Sequence, residues 1–177
     1  ALAAIMQNRG EILCFDDNPE RMKPVAPRAR RAGATIIKVA QGRGGAAWGD
    51  GRFDIVLVDA PCSGSGTWRR NPEQKWRLTQ ERLDGLVAVQ AWLLDDGARH
   101  VRPGGRLVYA TCSVLPVENQ DQVRKFLGRN DAFAVTEALS VWREHDLSAP
   151  PGLSRFFAAS PFRTGTDGFF AGVMTRN

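Results

Sequence analysis

The chain has 177 residues, 43% of them apolar and 24% charged, with a formal net charge of +5. That length suits one globular domain with a substantial core, and no run nears the roughly 18 apolar residues that a membrane span requires. Three cysteines without a CxxC pair, and two histidines without ligand spacing, argue against a disulfide framework or a metal centre and for a reducing, cytoplasmic setting.

Residues 1–8, ALAAIMQN, read as the closing turns of a helix stopped by Gly10. EILCF follows as a short strand ending at Asp16 and Asp17. Asn18 suits the cap of a helix with Pro19 at its first position, expected to run towards Gly33 with Pro24 and Pro27 working against its middle. ATIIKVA at 34–40 is a second strand, and QGRGGAAWGDG is loop. FDIVLVDA at 53–60 is a third strand, whose nearly unbroken apolar character predicts burial on both faces, as in a parallel sheet. A long helix is predicted over 79–100, with Leu83, Leu86, Val87, Gln90, Leu93 and Leu94 at helical spacing and Arg99 and His100 at its negative end. PGG at 103–105 closes it, RLVYATC is a fourth strand, and VENQDQVRKFLGRN is another helix. FAVTEA, SRFFAAS and GFFAGVMT are strands of an antiparallel edge. Alternating strands and helices followed by terminal strands give an α/β fold, a doubly wound sheet with an antiparallel edge.

Ligands of such sheets collect beyond the carboxyl ends of the strands. Asp16, residues 59–62 and residues 111–112 all fall at such ends, so one crevice is expected to contain them. In DAPCSGSG, Asp59 leaves its strand, Pro61 fixes the turn, and the small residues after Cys62 admit a substrate close to the backbone. Cys112 repeats the arrangement. A thiolate is the nucleophile suited to an electron-poor ring carbon, and cations or a helix start lower its pKa. Each residue also has a plainer reading: Asp16 as a helix-capping aspartate, either cysteine as a small buried hydrophobe. The basic run at 21–31 suits a polyanion or a solvated helix face equally. WRRNPEQKWR at 68–77 is more telling, because Trp68 and Trp76 are interleaved with Arg69, Arg70, Lys75 and Arg77, the mixture that stacks bases and neutralises phosphates. The glycine-rich turn of a nucleotide-binding sheet would stand about 20 residues before Asp16, ahead of Ala1; Gly42, Gly44 and Gly45 read as loop.

DAPCSGSGT, RRNPEQKW, PGGRLVYATCSVLPVEN and TDGFF, in this order and spacing, resemble the RNA (cytosine-5) methyltransferases of the Sun and nucleolar-protein group, especially the bacterial ribosomal RNA enzymes. The likeness runs along the whole chain. It implies a Rossmann-like class I S-adenosylmethionine-dependent methyltransferase sheet with an antiparallel C-terminal edge, here without its first strand and glycine loop. It implies methylation of carbon 5 of a cytosine in RNA, ribosomal RNA first and transfer RNA second. Carried over to this sequence, Cys112 attacks carbon 6 of the cytosine, and Cys62 resolves the adduct and releases the RNA. Asp59 bonds the base and, with Pro61, borders the cofactor, while Asp16 holds the cofactor ribose. Arg69, Arg70 and Lys75 are expected near RNA, with Asn71 and Pro72 shaping their loop. The aromatic pair after Asp167 and Gly168 is expected to pack the core. The chain departs from the family in lacking the glycine loop and its lysine, and in placing Arg43 roughly where an acidic residue near the adenine is expected. Residues 1–177 are therefore expected to be the C-terminal part of a longer enzyme's catalytic domain. Two other readings stand beside this one. One is a catalytically silent RNA-binding fragment, and the other is a thiol hydrolase pairing Cys112 with His100, which the length of the intervening helix disfavours.

Overall fold

The computed structural model describes residues 1–40, 48–145, 148–151 and 153–177. Gly42, Arg43, Gly44 and Gly45 lie outside the described residues. The chain divides into two compact units, Ala1–Trp48 and Gly49–Asn177.

In the first unit, α1 (Leu2–Ile5) ends before Gln7, Asn8 and Gly10, all with positive φ. Asn8 tolerates that conformation, and its side chain clamps a distant turn, donating to the Gly33 carbonyl at 2.9 Å and accepting from the Thr35 N–H at 3.0 Å. The clamp precedes the parallel pairing of β1 (Ile12–Cys14) with β2 (Ile37–Val39). Between the strands the single predicted helix is two: α2 (Pro19–Met22), capped by Asn18 through a 3.0 Å bond from the Glu20 N–H, and α3 (Val25–Arg31). The prolines explain the break. Pro24 begins a new helix as its cap, and Pro27 sits in the first turn of α3, where a missing N–H loses no intrahelical bond.

The second unit holds a five-stranded mixed sheet. β3 (Phe53–Asp59) pairs in parallel with β4 (Val101–Thr111), which pairs antiparallel with β7 (Phe169–Arg176). β7 in turn pairs antiparallel with β5 (Phe133–Thr136) and β6 (Phe157–Ala159). The antiparallel edge predicted from the three terminal apolar runs is thus present. Its helices are α4 (Glu73–Arg77), α5 (Gln80–His100), α6 (Gln120–Leu127), α7 (Ala138–Glu144) and α8 (Pro161–Thr164). The start of α5 is set by Thr79, whose hydroxyl accepts from the Arg82 N–H at 3.2 Å. The helix runs straight into β4, so PGG lies within the strand rather than closing the helix. VENQDQVRKFLGRN also divides, into a 3-10 turn at Pro116–Glu118 and then α6.

α5 packs on β3 and β4, and α6 packs on α5. Leu94, Leu107, Phe126 and Met174 are completely buried between these layers, each stabilising the fold by roughly 1.5–3 kcal/mol. Expected burial on both faces of β3 is not found. Val56 and Val58 join the core, but Ile55 and Leu57, on the opposite face by the two-residue period, are 62% and 55% exposed. An apolar run reports hydrophobicity, not the presence of a second covering layer. No helix of the described residues is long and apolar enough to cross a membrane.

Candidate active site

β3 and β4 run in parallel, so their carboxyl ends deliver Asp59 and Thr111 to the same end of the sheet. The segments that follow carry the two cysteines, and the Sγ atoms of Cys62 and Cys112 lie 3.3 Å apart. The backbone draws the motifs together. The Gly66 N–H donates to the Cys112 carbonyl at 3.0 Å, and the Gly168 N–H donates to the Gly66 carbonyl at 2.8 Å. A Cβ on Gly66 would stand 2.4 Å from the Gly168 oxygen, so this approach requires glycine. DAPCSGSGT, YATCS and TDGFF are therefore one structural knot.

Beneath the thiols lies a polar network that the sequence did not single out. Glu118, completely buried, accepts from the Ser63 N–H at 2.8 Å, the Ser63 hydroxyl at 2.5 Å, the Ser113 hydroxyl at 2.6 Å and Gln90 Nε2 at 3.1 Å. Gln90 Nε2 also donates to the Pro61 carbonyl at 2.9 Å. Asn119 closes the turn after β4, accepting from the Thr111 hydroxyl at 2.6 Å and donating to the Ser113 carbonyl at 2.9 Å. A signal was present: each site cysteine is followed by serine, and Glu-Asn follows shortly after the second Cys-Ser.

The thiols are electrostatically unequal. The bond from Cys62 lowers the Cys112 pKa to about 7, against the opposing effects of burial and of the Asp59 and Glu118 charges. The same bond, aided by burial, holds Cys62 well above the ordinary thiol value. Of the two thiols Cys112 is the one that ionises more readily, which makes it the stronger nucleophile near neutral pH. Cys14, the third cysteine, is half-buried in β1, and burial raises its pKa.

Asp59 and Pro61 are exposed beside the thiols. Asp16 lies in the first unit, at the end of β1. Its Oδ1 accepts from the Asn18 N–H at 2.9 Å, and this bond, with Arg21 at 3.5 Å from Oδ2, holds the carboxyl below its usual range. The helix-entry role and an ionised carboxylate thus coexist at Asp16.

The predicted basic and aromatic segment leaves the site after Thr67. Arg69, Arg70 and Lys75 are all exposed, and Arg70 pairs with Asp167 at 2.6 Å, tying the segment to the C-terminal motif. Lys75 Nζ stands 5.5 Å from the Trp76 ring centroid, and Trp76 is 82% exposed. Trp68 differs from its expected part in base stacking. It is half-buried, with its indole N–H in the interior and without a hydrogen-bond partner. Phe170 packs in the core against Tyr109 and Phe156, as expected, whereas Phe169 is partly exposed.

His100 is no partner for Cys112. It is buried, its Nδ1 lies 3.0 Å from the Gly49 carbonyl, and the length of β4 separates it from Cys112. No group of three or more His, Cys, Asp or Glu side chains among the described residues is arranged to hold a metal ion.

Comparison with known proteins shows what the chain is similar to. Ribosomal RNA small subunit methyltransferase B of Salmonella paratyphi A is 41% identical over 129 residues, covering 72% of this chain and 30% of the relative. The chain thus spans less than a third of the length of that curated relative. The crystal structure of PH0851 is 36% identical with a TM-score of 0.86, covering 98% of this chain and 38% of that one. NSun6 from Pyrococcus horikoshii, solved with SFG, shares the fold at 24% identity and a TM-score of 0.75, covering 99% of this chain and 44% of its own. The family profile described as 16S rRNA methyltransferase RsmB/F matches residues 1–175. The resemblance carried by the four motifs is therefore borne out across almost the whole chain, which belongs to the 16S rRNA methyltransferase RsmB/F family.

Proposed function

We propose that this protein methylates carbon 5 of a cytosine in RNA, ribosomal RNA before transfer RNA, in the cytoplasm and through a covalent adduct with Cys112. The observation that carries this reading is the pair of thiols 3.3 Å apart at the ends of two parallel strands. Cytosine carbon 5 is a poor nucleophile until a thiolate adds to the neighbouring carbon 6. Cys112, with its lowered pKa, is the thiolate that forms the sulfur–carbon bond. The electron pair displaced from the ring double bond then makes carbon 5 nucleophilic. Transfer of the carbon 5 proton to a base after methylation re-forms the ring double bond, breaks the sulfur–carbon bond and returns the thiolate. Cys62, which keeps its own proton beside Cys112, stands where an acid–base partner for that resolution is needed. Asp59, exposed at the end of β3, is assigned to hydrogen-bonding the base.

The polar groups present suit S-adenosylmethionine. Asp16 remains ionised with acceptor capacity beyond its bond from Asn18, as a ribose diol requires, and in the second unit Asp59 and Pro61 are exposed. When bound, that cofactor supplies an electrophilic methyl group. The NSun6 structure determined with SFG and the methyltransferase description of the family support this assignment. The target base must also leave its stack. Trp76 and Lys75 offer a stacking face and a cation for the neighbouring strand, and Arg69 and Arg70 add charge.

Two experiments test the reading. Calorimetric titration of S-adenosylmethionine into the 177-residue chain is expected to saturate. RNA binding without cofactor binding, in a folded sample, would instead support the catalytically silent RNA-binding alternative. With RNA carrying 5-fluorocytidine, whose fluorine cannot leave carbon 5 as a proton does, a denaturant-stable complex mapping to Cys112 is expected. Methylation retained by Cys112→Ala would overturn the proposal.

A further inference from the structure

We propose that Glu118 is the positioning residue that holds the two site thiols in register, by gripping the residue that follows each of them. Its carboxylate is completely buried. One oxygen takes the Ser63 N–H and Gln90, and the other takes the hydroxyls of Ser63 and Ser113. Ser63 adjoins Cys62 and Ser113 adjoins Cys112, so one carboxylate sets the separation of two segments 50 residues apart in sequence. All four donors are neutral. A buried carboxylate is costly unless its lone pairs are satisfied, so the network holds only while both serines stay in place.

The coupling extends outward on both sides. Gln90, on α5, joins Glu118 to the Pro61 carbonyl, the residue before Cys62. Gln122, on α6, donates to Gln90 Oε1 at 3.1 Å. The Ser65 hydroxyl lies 2.9 Å from that of Ser113 and accepts from the Val114 N–H at 2.9 Å. The Tyr109 hydroxyl donates to the Glu118 carbonyl at 2.6 Å, fixing the backbone that carries the carboxylate. The grip of Glu118 does not run through the sulfurs, which meet each other and backbone N–H groups, those of Gly64 and Cys112 at Cys62. Their proximity is imposed by their neighbours, and Glu118 is the group common to both.

The catalytic importance of this role rests on the assignment of Cys112 as nucleophile, but the thiol geometry is measurable without catalysis. In a Cys14→Ser background, the chain is equilibrated in glutathione buffers. Glutathione disulfide and the two protein thiols exchange to give a Cys62–Cys112 disulfide and two glutathione thiols, and the mass-resolved fraction closed reports the effective concentration of one thiol at the other. The unsubstituted pair is expected to close readily. Glu118→Ala, shown to be folded by circular dichroism, is expected to lower the effective concentration by about tenfold or more, the scale of hydrogen bonds to a charged group. Glu118→Gln, of the same length and able to keep part of the network, is expected to restore most of it, which a purely destabilising change would not do. Should Glu118→Ala fail to fold, the Ser63→Ala/Ser113→Ala pair carries the same expectation. A folded Glu118→Ala or double-serine variant with the original effective concentration, or an original chain that never closes the disulfide, would overturn the proposal. Altered closure together with no RNA adduct in the original chain would sink the methylation reading and leave the role of Glu118 standing.

Discussion

The thiol site and the basic segment that leaves it are built in opposite ways. At the thiols Ser63, Ser113, Glu118 and Asn119 are buried and hydrogen-bonded underneath, and the glycines at 66 and 168 lock the backbones together. Along the segment, Arg69, Lys75 and Trp76 project into solvent, and Arg70 is held by an ion pair to Asp167. Bond-making chemistry needs reacting atoms fixed in advance, whereas a strand of RNA is gripped by stacking and charge that tolerate small displacements. The difference teaches which substitutions will act through geometry and which through affinity alone.

Replacing Cys112 by Ala is expected to have the largest effect, lowering methylation by on the order of 10³ or more, as removal of a covalent nucleophile does; single-turnover methyl transfer to RNA measures it. Cys62→Ala is expected to trap the covalent RNA complex and to raise the Cys112 pKa from about 7, because the bond from Cys62 is the largest influence lowering it. Gel analysis under denaturing conditions reads the first effect. Gly66→Ala sharpens the contrast from the structural side. Its new methyl group would press on the Gly168 backbone at 2.4 Å, and thermal or urea unfolding should show a loss of about 1–3 kcal/mol. Trp76→Ala is expected to weaken RNA binding by about 1–3 kcal/mol with unfolding unchanged, and Lys75→Ala to reduce the salt slope by about 1. If Trp76→Ala instead lowered stability and left RNA affinity intact, the division between the two regions would collapse. Ile55→Thr is expected to do least, within about 0.5 kcal/mol, since Ile55 is 62% exposed.

Much of this was legible in the sequence because it is local. The period of the 79–100 helix and the terminal strands are patterns of neighbouring residues, and the structure has them where the spacing put them. The two cysteines at strand ends were legible for the same reason. Glu118 was less so: the repeated Cys-Ser and the Glu-Asn that follows the second were a signal, but its role is to accept from groups on a loop 55 residues away, which spacing along its own turn does not reveal. The exposure of Ile55 and Leu57 was hidden likewise, because burial depends on what covers a strand rather than on the strand itself. Trp68 misled in the opposite direction: interleaving with arginines looked like a nucleic-acid surface, but the ring turns partly into the interior.

The central claim, that Cys112 is the one of the two thiols that ionises more readily, is most directly tested by the pH dependence of Cys112 alkylation in the folded chain, resolved by peptide mass spectrometry. Reactivity should rise as pH passes through about 7, while Cys62 stays unreactive through that range, and Cys62→Ala should move the Cys112 midpoint upward. A Cys112 midpoint at the ordinary thiol value, or one that Cys62→Ala leaves in place, would contradict the account.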